Sequence, residues 1–407
     1  MKHVSLVLRN AQVLDVRSGD YRKADVVMNE GRIENVGVSG AVPPGVQVVD
    51  VTGKFVLPGL IDGHVHVTAL NTQFESLDSM ARSYVASHAI SCMGKMLRRG
   101  FTSVRDAGGA DFGLALAQRE GLFLGPRLFY GGKAISQTGG HADFRRPGEH
   151  HRPEFSNCCA GIGRIADGVS AVREAARDEL RQGAHHIKIM ASGGIASPTD
   201  RVDSTQYSEE EIAAIVSEAT AANRYVAAHA YMPKAINRCL ELGVRSIEHG
   251  SLLDQSSVDL FLKHEAILVP TLVTHWAMVT FGRDHGLSQE GWEKAVPVRE
   301  AGLEALRLAD KKGVKIAFGS DLLGALQQHQ NYEFELRSKV QSNLAVIQSA
   351  TLHAAHLVER DGELGEVSPG AIADLIIVDG DPLVDIGVLS RFEEHRVHVI
   401  QEGRIIA

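Results

Sequence analysis

Eight short apolar runs punctuate the middle of the chain, near residues 56–62, 101–106, 127–134, 185–190, 224–228, 244–248, 266–270 and 314–319. Each is followed by a longer segment, several of them with helical signals. Short continuous apolar runs are the mark of strands buried on both faces, which is the situation in a parallel sheet covered by helices. The helical signals lie where they should. In "SEEEIAAIVSEATAANR", Ser208 and Glu211 form a capping box, and "SAVREAARDELRQG" stops at a glycine. Eight strand–helix alternations over roughly 300 residues predict an α/β fold of the (β/α)8 barrel type. An open doubly wound sheet is the competitor, and it lacks a G-x-G-x-x-G after the first strand.

The two ends have a different texture. The first 55 residues hold short β-like runs ("VSLVLRNAQVL", "ADVVMNEGRIENVGV", "VQVVDVTGKFV") separated by Gly, Asp and Asn turn signals. The last 45 repeat that pattern in "ADLIIVDGD" and "VHVIQEGRII", after a helix-like "SNLAVIQSATLHAAHLV". The expectation is a small antiparallel β-sandwich domain built discontinuously from 1–56 and 359–407, with the barrel spanning 57–358.

At 407 residues and 44% hydrophobic, the chain can bury a large core. A net charge of −8 with both signs interspersed offers no basic patch for nucleic acid and no Lys/Arg run for an anionic membrane. No apolar stretch approaches the length of a membrane span or a signal sequence, so a cytoplasmic location is expected. Cys92, Cys158, Cys159 and Cys239 form no C-x-x-C pair, and vicinal Cys158 and Cys159 read as reduced thiols. A metal here must be held by histidine and oxygen ligands. The partners expected are a small-molecule substrate and other copies of the chain in a homo-oligomer.

In a barrel of this type, functional groups sit at the C-terminal ends of the strands. Run one ends "LIDGHVHV", where His64 and His66, two apart on a strand, face the same side. Run four carries Lys188 in "HHIKIMASGG", run five ends "AAHAY" with His229, run six ends "SIEHG" with His249, and run eight ends "FGSD" with Asp321. A lone histidine at a strand end is more often a hydrogen-bonded polar residue, and an Asp after Gly-Ser also reads as a helix cap. Six such groups at one mouth are harder to explain separately. Lys188 is the strangest, because a buried ammonium is costly unless paired or altered. A neutral lysine can take up carbon dioxide as a carbamate, which turns a cation into a bidentate anionic ligand able to bridge two ions.

With "PGLIDGHVH", "GFTSVRDAGG", "KIMASGG", "HAY", "IEHG", "GSD" and the tail "GEVSPGAIADLIIVDGDP" in this order along nearly the whole chain, the sequence resembles the amidohydrolase superfamily. Within it, the likeness is to the binuclear branch with a carboxylated lysine, the group of prolidase-like dipeptidases and imidazolonepropionase. The resemblance implies two divalent metal ions, usually zinc. It makes His64, His66 and Asp321 ligands of the first, His229 and His249 ligands of the second, and N6-carboxylysine at Lys188 the bridge. Single-metal members such as imidazolonepropionase lack the strand-four lysine, so Lys188 argues against that activity.

The implied chemistry is attack of a metal-bridging hydroxide on an amide carbonyl, with Asp321 as the catalytic proton shuttle. His141 in "SQTGGHAD" is a candidate hydrogen-bond donor to the carbonyl oxygen, or a solvated loop histidine. Tyr231, two residues past His229, resembles the family tyrosine that contacts substrate carbonyl or carboxylate, or packs. Arg105 is a further candidate for substrate binding, or a salt-bridged barrel residue. The pairs His150–His151 and His185–His186 have no matching role. The substrate expected is a small dipeptide, Xaa-Pro first, or another N-acyl amino acid. Hydrolysis of a cyclic amide and deamination of a heterocycle are the enzymatic alternatives, and a silent scaffold is the non-enzymatic one, disfavoured because all six positions are filled.

Overall fold

A computed structural model describes every residue except 1–5, 39, 41, 43–44 and 150–160, and the side chains of 75 and 78. His150, His151, Cys158 and Cys159 therefore lie outside the described residues.

The expected barrel is present. Its strands are Leu60–Val65, Phe101–Asp106, Arg127–Tyr130 (resuming as Ala134–Ser136), His186–Met190, Tyr225–Ala230, Ser246–His249, Ile267–Val269 and Lys315–Ile316. Neighbouring strands pair in parallel. At the joint between the third and fourth strands, His185 N–H donates to Tyr130 O at 2.9 Å, and Gly63 N–H donates to Phe318 O at 2.8 Å to tie the eighth strand region to the first.

Side-chain alternation sorts the strands into an outer and an inner face. On the fourth, Ile187 and Ile189 join Val172, Ala176 and Ile215 in the outer core, leaving His186, Lys188 and Met190 on the inner face. On the fifth, Val226, Ala228 and Ala230 go outward in the same way, and Tyr225, Ala227 and His229 go inward. The helix Glu209–Ala221 carries its capping box, and Val169–Arg181 ends before Gly183, whose φ of +90° suits glycine. The stretch "SNLAVIQSATLHAAHLV" forms two short helices, Asn343–Ser349 and Leu352–Leu357, where one was expected. The break is at Thr351, whose backbone leaves the helical region and whose hydroxyl donates to Ile347 O at 2.7 Å.

Both ends of the chain supply one separate sheet, in the order Arg404–Ile405, Arg396–Gln401, Leu375–Val378, Phe55–Pro58, Leu6–Asp15, Asp20–Asn29, Arg32–Gly37. Its sandwich core encloses Leu8, Val26, Met28, Leu375, Ile377 and Ile400. The sheet is mixed where a purely antiparallel one was expected, because Gln47–Asp50 and Phe55–Pro58 both run parallel to Leu6–Asp15. After the hairpins the chain recrosses and adds to the free edge of its first strand in that strand's own direction. This sheet also aims the first barrel strand. Phe55–Pro58 pairs with Leu375–Val378, and Gly59 N–H donates to Asp374 O at 2.7 Å immediately before Leu60. Among the described residues, no helix is long and apolar enough to cross a membrane.

Candidate metal centre

His64, His66 and Asp321 meet at the mouth of the barrel. Nε2 of His64 lies 3.4 Å from Nε2 of His66, and an Asp321 carboxylate oxygen is 3.4 Å and 3.2 Å from the two rings. One ligand atom from each lies within 4.8 Å of the others, spacing that suits a shared cation. Asp321 begins no helix. The next helical turn, Gly324–His329, has Leu323 at its N-cap, and the Asp321 backbone is left-handed at φ +51°. Burial opposes ionisation of Asp321, but the two histidines outweigh it and hold the carboxyl well below its ordinary range.

Lys188, His229 and His249 line the same cavity. The His229 and His249 rings are 4.7 Å apart by centroid, and His249 is 5.2 Å from His64. Burial keeps both rings neutral, far below the usual histidine range, which is the ligand form of imidazole. Burial also pushes the Lys188 amine from 10.5 down to about 8. His249 reaches the cavity against the alternation of its own strand. Ser246 and Glu248 take the inner face, so the next residue should point out. A left-handed backbone at His249, φ +73°, followed by Gly250 at φ +57°, turns the ring back. Thr271, also left-handed at φ +47°, then holds Nδ1 of His249 at 2.7 Å. Such conformations cost roughly 1–3 kcal/mol each in non-glycine residues and persist where surrounding contacts enforce them.

The remaining ring nitrogens are also partnered, which fixes which nitrogen faces the centre. His64 Nδ1 is 2.7 Å from Glu248, His66 Nδ1 is 2.8 Å from Gly108 O, and His229 Nε2 is 3.1 Å from Gly193 O. Glu248 is held in turn by Arg105, which reaches both of its oxygens at 2.7 Å and donates to Gly63 O and Ser246 Oγ. Burial works against the ionised Glu248, yet Arg105 and His64 keep it strongly anionic. Of the two expected readings of Arg105, the salt-bridged barrel residue fits and the substrate contact does not. It is fully buried in the barrel lumen and absent from the cavity wall, with its guanidinium committed to Glu248.

His141 stacks on His229 at 4.2 Å and places Nδ1 2.7 Å from Ser197 Oγ, which donates to Asp200. Gly194 is required there, since a Cβ would come within 2.1 Å of the His141 ring. Tyr231 packs on His249 at 5.1 Å and lines the cavity, with its hydroxyl 3.1 Å from Nε2 of His275. Phe74, Phe144, Ile162, Ile195, Met278 and Leu323 supply an apolar rim. Glu248, Thr271 and His275 were missed in the sequence. The signals were a carboxylate inside the apolar run "VRSIE" and a histidine inside the otherwise apolar helix "LVTHWAMVTF".

Residues 55–406 match the sequence profile of the amidohydrolase family. The chain belongs to that family. It is 32% identical to ochratoxinase from Aspergillus niger over 404 residues, covering 94% of this chain and 83% of that one. Among solved structures it is similar to a prolidase complexed with N-methylphosphonate-L-proline, at 46% identity, TM-score 0.97 and 99% coverage of both chains. It is also similar to an Xaa-Pro dipeptidase with bound methionine, at 28% identity, TM-score 0.87 and 99% coverage of both. As an amidohydrolase, the protein is a hydrolytic enzyme of small molecules. Family members generally use divalent metal, and the His64, His66 and Asp321 cluster is compatible with one.

Proposed function

We propose that the protein is a binuclear, zinc-dependent dipeptidase of the prolidase type that cleaves the amide of small Xaa-Pro substrates. The observation that carries this reading is the convergence of Lys188 with both histidine pairs and Asp321 on one cavity. Full-length likeness to a prolidase points to proline on the leaving side.

The residues fit two cations. His64, His66 and Asp321 would hold the first and His229 and His249 the second, with Lys188 between them as its carbamate. A Lys188 amine near pKa 8 has a neutral fraction at physiological pH, so it can add to carbon dioxide and release one proton. When bound, the two ions supply an activated water at neutral pH and a Lewis acid for the carbonyl. Asp321 accepts the proton of the attacking water and delivers it to the leaving nitrogen. His141, held through Nδ1 by Ser197 and stacked on His229, is a wall of the cavity against which the substrate packs. Tyr231 meets the terminal carboxylate, and the apolar rim keeps bulk water out.

The test is a panel on metal-replete enzyme: Ala-Pro, Ala-Ala, Ala-Pro-amide and a cyclic amide. Ala-Pro should be cleaved roughly 10-fold or more faster than its carboxamide, the worth of one charge-assisted hydrogen bond. A second reading, hydrolysis of a different small amide, is favoured by the likeness to ochratoxinase. Inert dipeptides beside a cleaved N-acyl amino acid or cyclic amide would select it.

A further inference from the structure

The Tyr231 hydroxyl and Nε2 of His275 are 3.1 Å apart, and both residues are buried. Either could be the donor. The choice is settled by the other ring nitrogen, since Nδ1 of His275 is buried with no hydrogen-bond partner among the described residues. A neutral imidazole carries one proton. On Nδ1 that proton would make a buried N–H facing nothing, at the full desolvation cost of a donor. A bare Nδ1 lone pair leaves only an unused acceptor, which folded proteins tolerate more often. The proton therefore belongs on Nε2, which donates to the Tyr231 oxygen. The phenolic proton is then free of internal pairing and available to a group in the cavity. The opposite arrangement, with Tyr231 donating to His275, would present oxygen lone pairs to the cavity and repel an anion.

We infer that His275 is a positioning residue that makes Tyr231 a hydrogen-bond donor toward the carboxylate on the leaving side of the substrate. The inference rests on the reading of Tyr231 given under the proposed function. His275 is well placed for the task. It sits on the helix Leu272–Phe281, packs against Tyr231 at 5.6 Å and His249 at 5.8 Å, and its helix is anchored by Glu333, which accepts Val273 N–H at 2.6 Å.

The experiment compares His275→Phe, His275→Gln and Tyr231→Phe, using the best-cleaved dipeptide and its carboxamide. His275→Phe and Tyr231→Phe should each raise KM for the acid about 10-fold with a smaller effect on kcat, and raise KM for the carboxamide by less, since its carbonyl accepts only a neutral hydrogen bond. Their double variant should be no worse than either single one, because both remove the same contact. His275→Gln keeps a side-chain N–H donor and should stay within about 3-fold of the parent. If His275→Phe fails to fold, His275→Met replaces it in the same comparison. An unchanged KM for the acid in the His275 variant, with Tyr231→Phe impaired, would overturn the role of His275 and leave the carboxylate contact standing. Equal losses on acid and carboxamide would overturn it too, by showing mere packing. A Tyr231→Phe enzyme that treats acid and carboxamide as the parent does would remove the carboxylate reading itself.

Discussion

The two halves of the proposed metal centre are built by different means. His64 and His66 come from one strand, converge by simple alternation, and are locked from behind by Glu248 and Gly108 O. Lys188, His229 and His249 come from three strands, and one of them needs a left-handed backbone and the hydroxyl of Thr271 to face inward. In the first half two of the three groups are preorganised by one strand's alternation, with Asp321 brought in on a left-handed residue after the eighth strand, whereas the second half leans on the segment after the seventh strand. That segment also carries His275 and Met278, so the proposed second ion site and the cavity wall share one support.

The contrast can be broken or sharpened by substitution. The largest effect expected is from Asp321→Asn, which should lower kcat by roughly 10²–10⁴-fold, since an amide cannot carry the proton. Metal content should be measured alongside, and an unchanged kcat would remove Asp321 from the mechanism. Glu248→Gln should weaken binding of the first ion by roughly 10–100-fold and destabilise the fold, because Arg105 is left buried without its counter-charge. Thr271→Val should weaken only the second ion, by about 10-fold at most, and sequential metal titrations distinguish the two. If Thr271→Val and Glu248→Gln affect the same ion, the division into halves is wrong.

The smallest effect concerns Glu333, which anchors the shared segment. Burial raises its carboxyl from 4.5 to about 8. Between those values the folded protein keeps a proton that the unfolded chain has released, so this group makes the fold less stable as pH rises through the window. Glu333→Gln should remove that slope, and Tm of parent and variant should diverge between pH 5 and pH 8, with the variant favoured at the upper end. Parallel curves would contradict this.

Much of the fold was legible because buried parallel strands and capped helices leave local signals, as in "HHIKIM" and "SEEEIAAIV". His64 and His66 were legible for the same reason. His249 was found by its place at a strand end, although alternation alone would have sent it outward. The roles of Glu248, Thr271 and His275 depend on contacts with residues far away in sequence, and no local pattern reports them. Arg105 shows the converse, since the sequence left its salt-bridged and substrate-binding readings both open. A cation next to a strand end looks available to substrate until the buried carboxylate opposite it, on the sixth strand, is seen. Thr351 broke an apparently continuous helix through its own hydroxyl bond, again a matter of backbone geometry that composition hides.

The most direct test of the two-ion account is elemental analysis of the parent enzyme and Lys188→Ala, purified side by side in metal-containing buffer with bicarbonate. Lys188 is the one group assigned to both ions. The parent should carry about two divalent ions per chain and the variant about one or fewer, with most activity lost. Two ions in both proteins, with normal turnover in the variant, would contradict it.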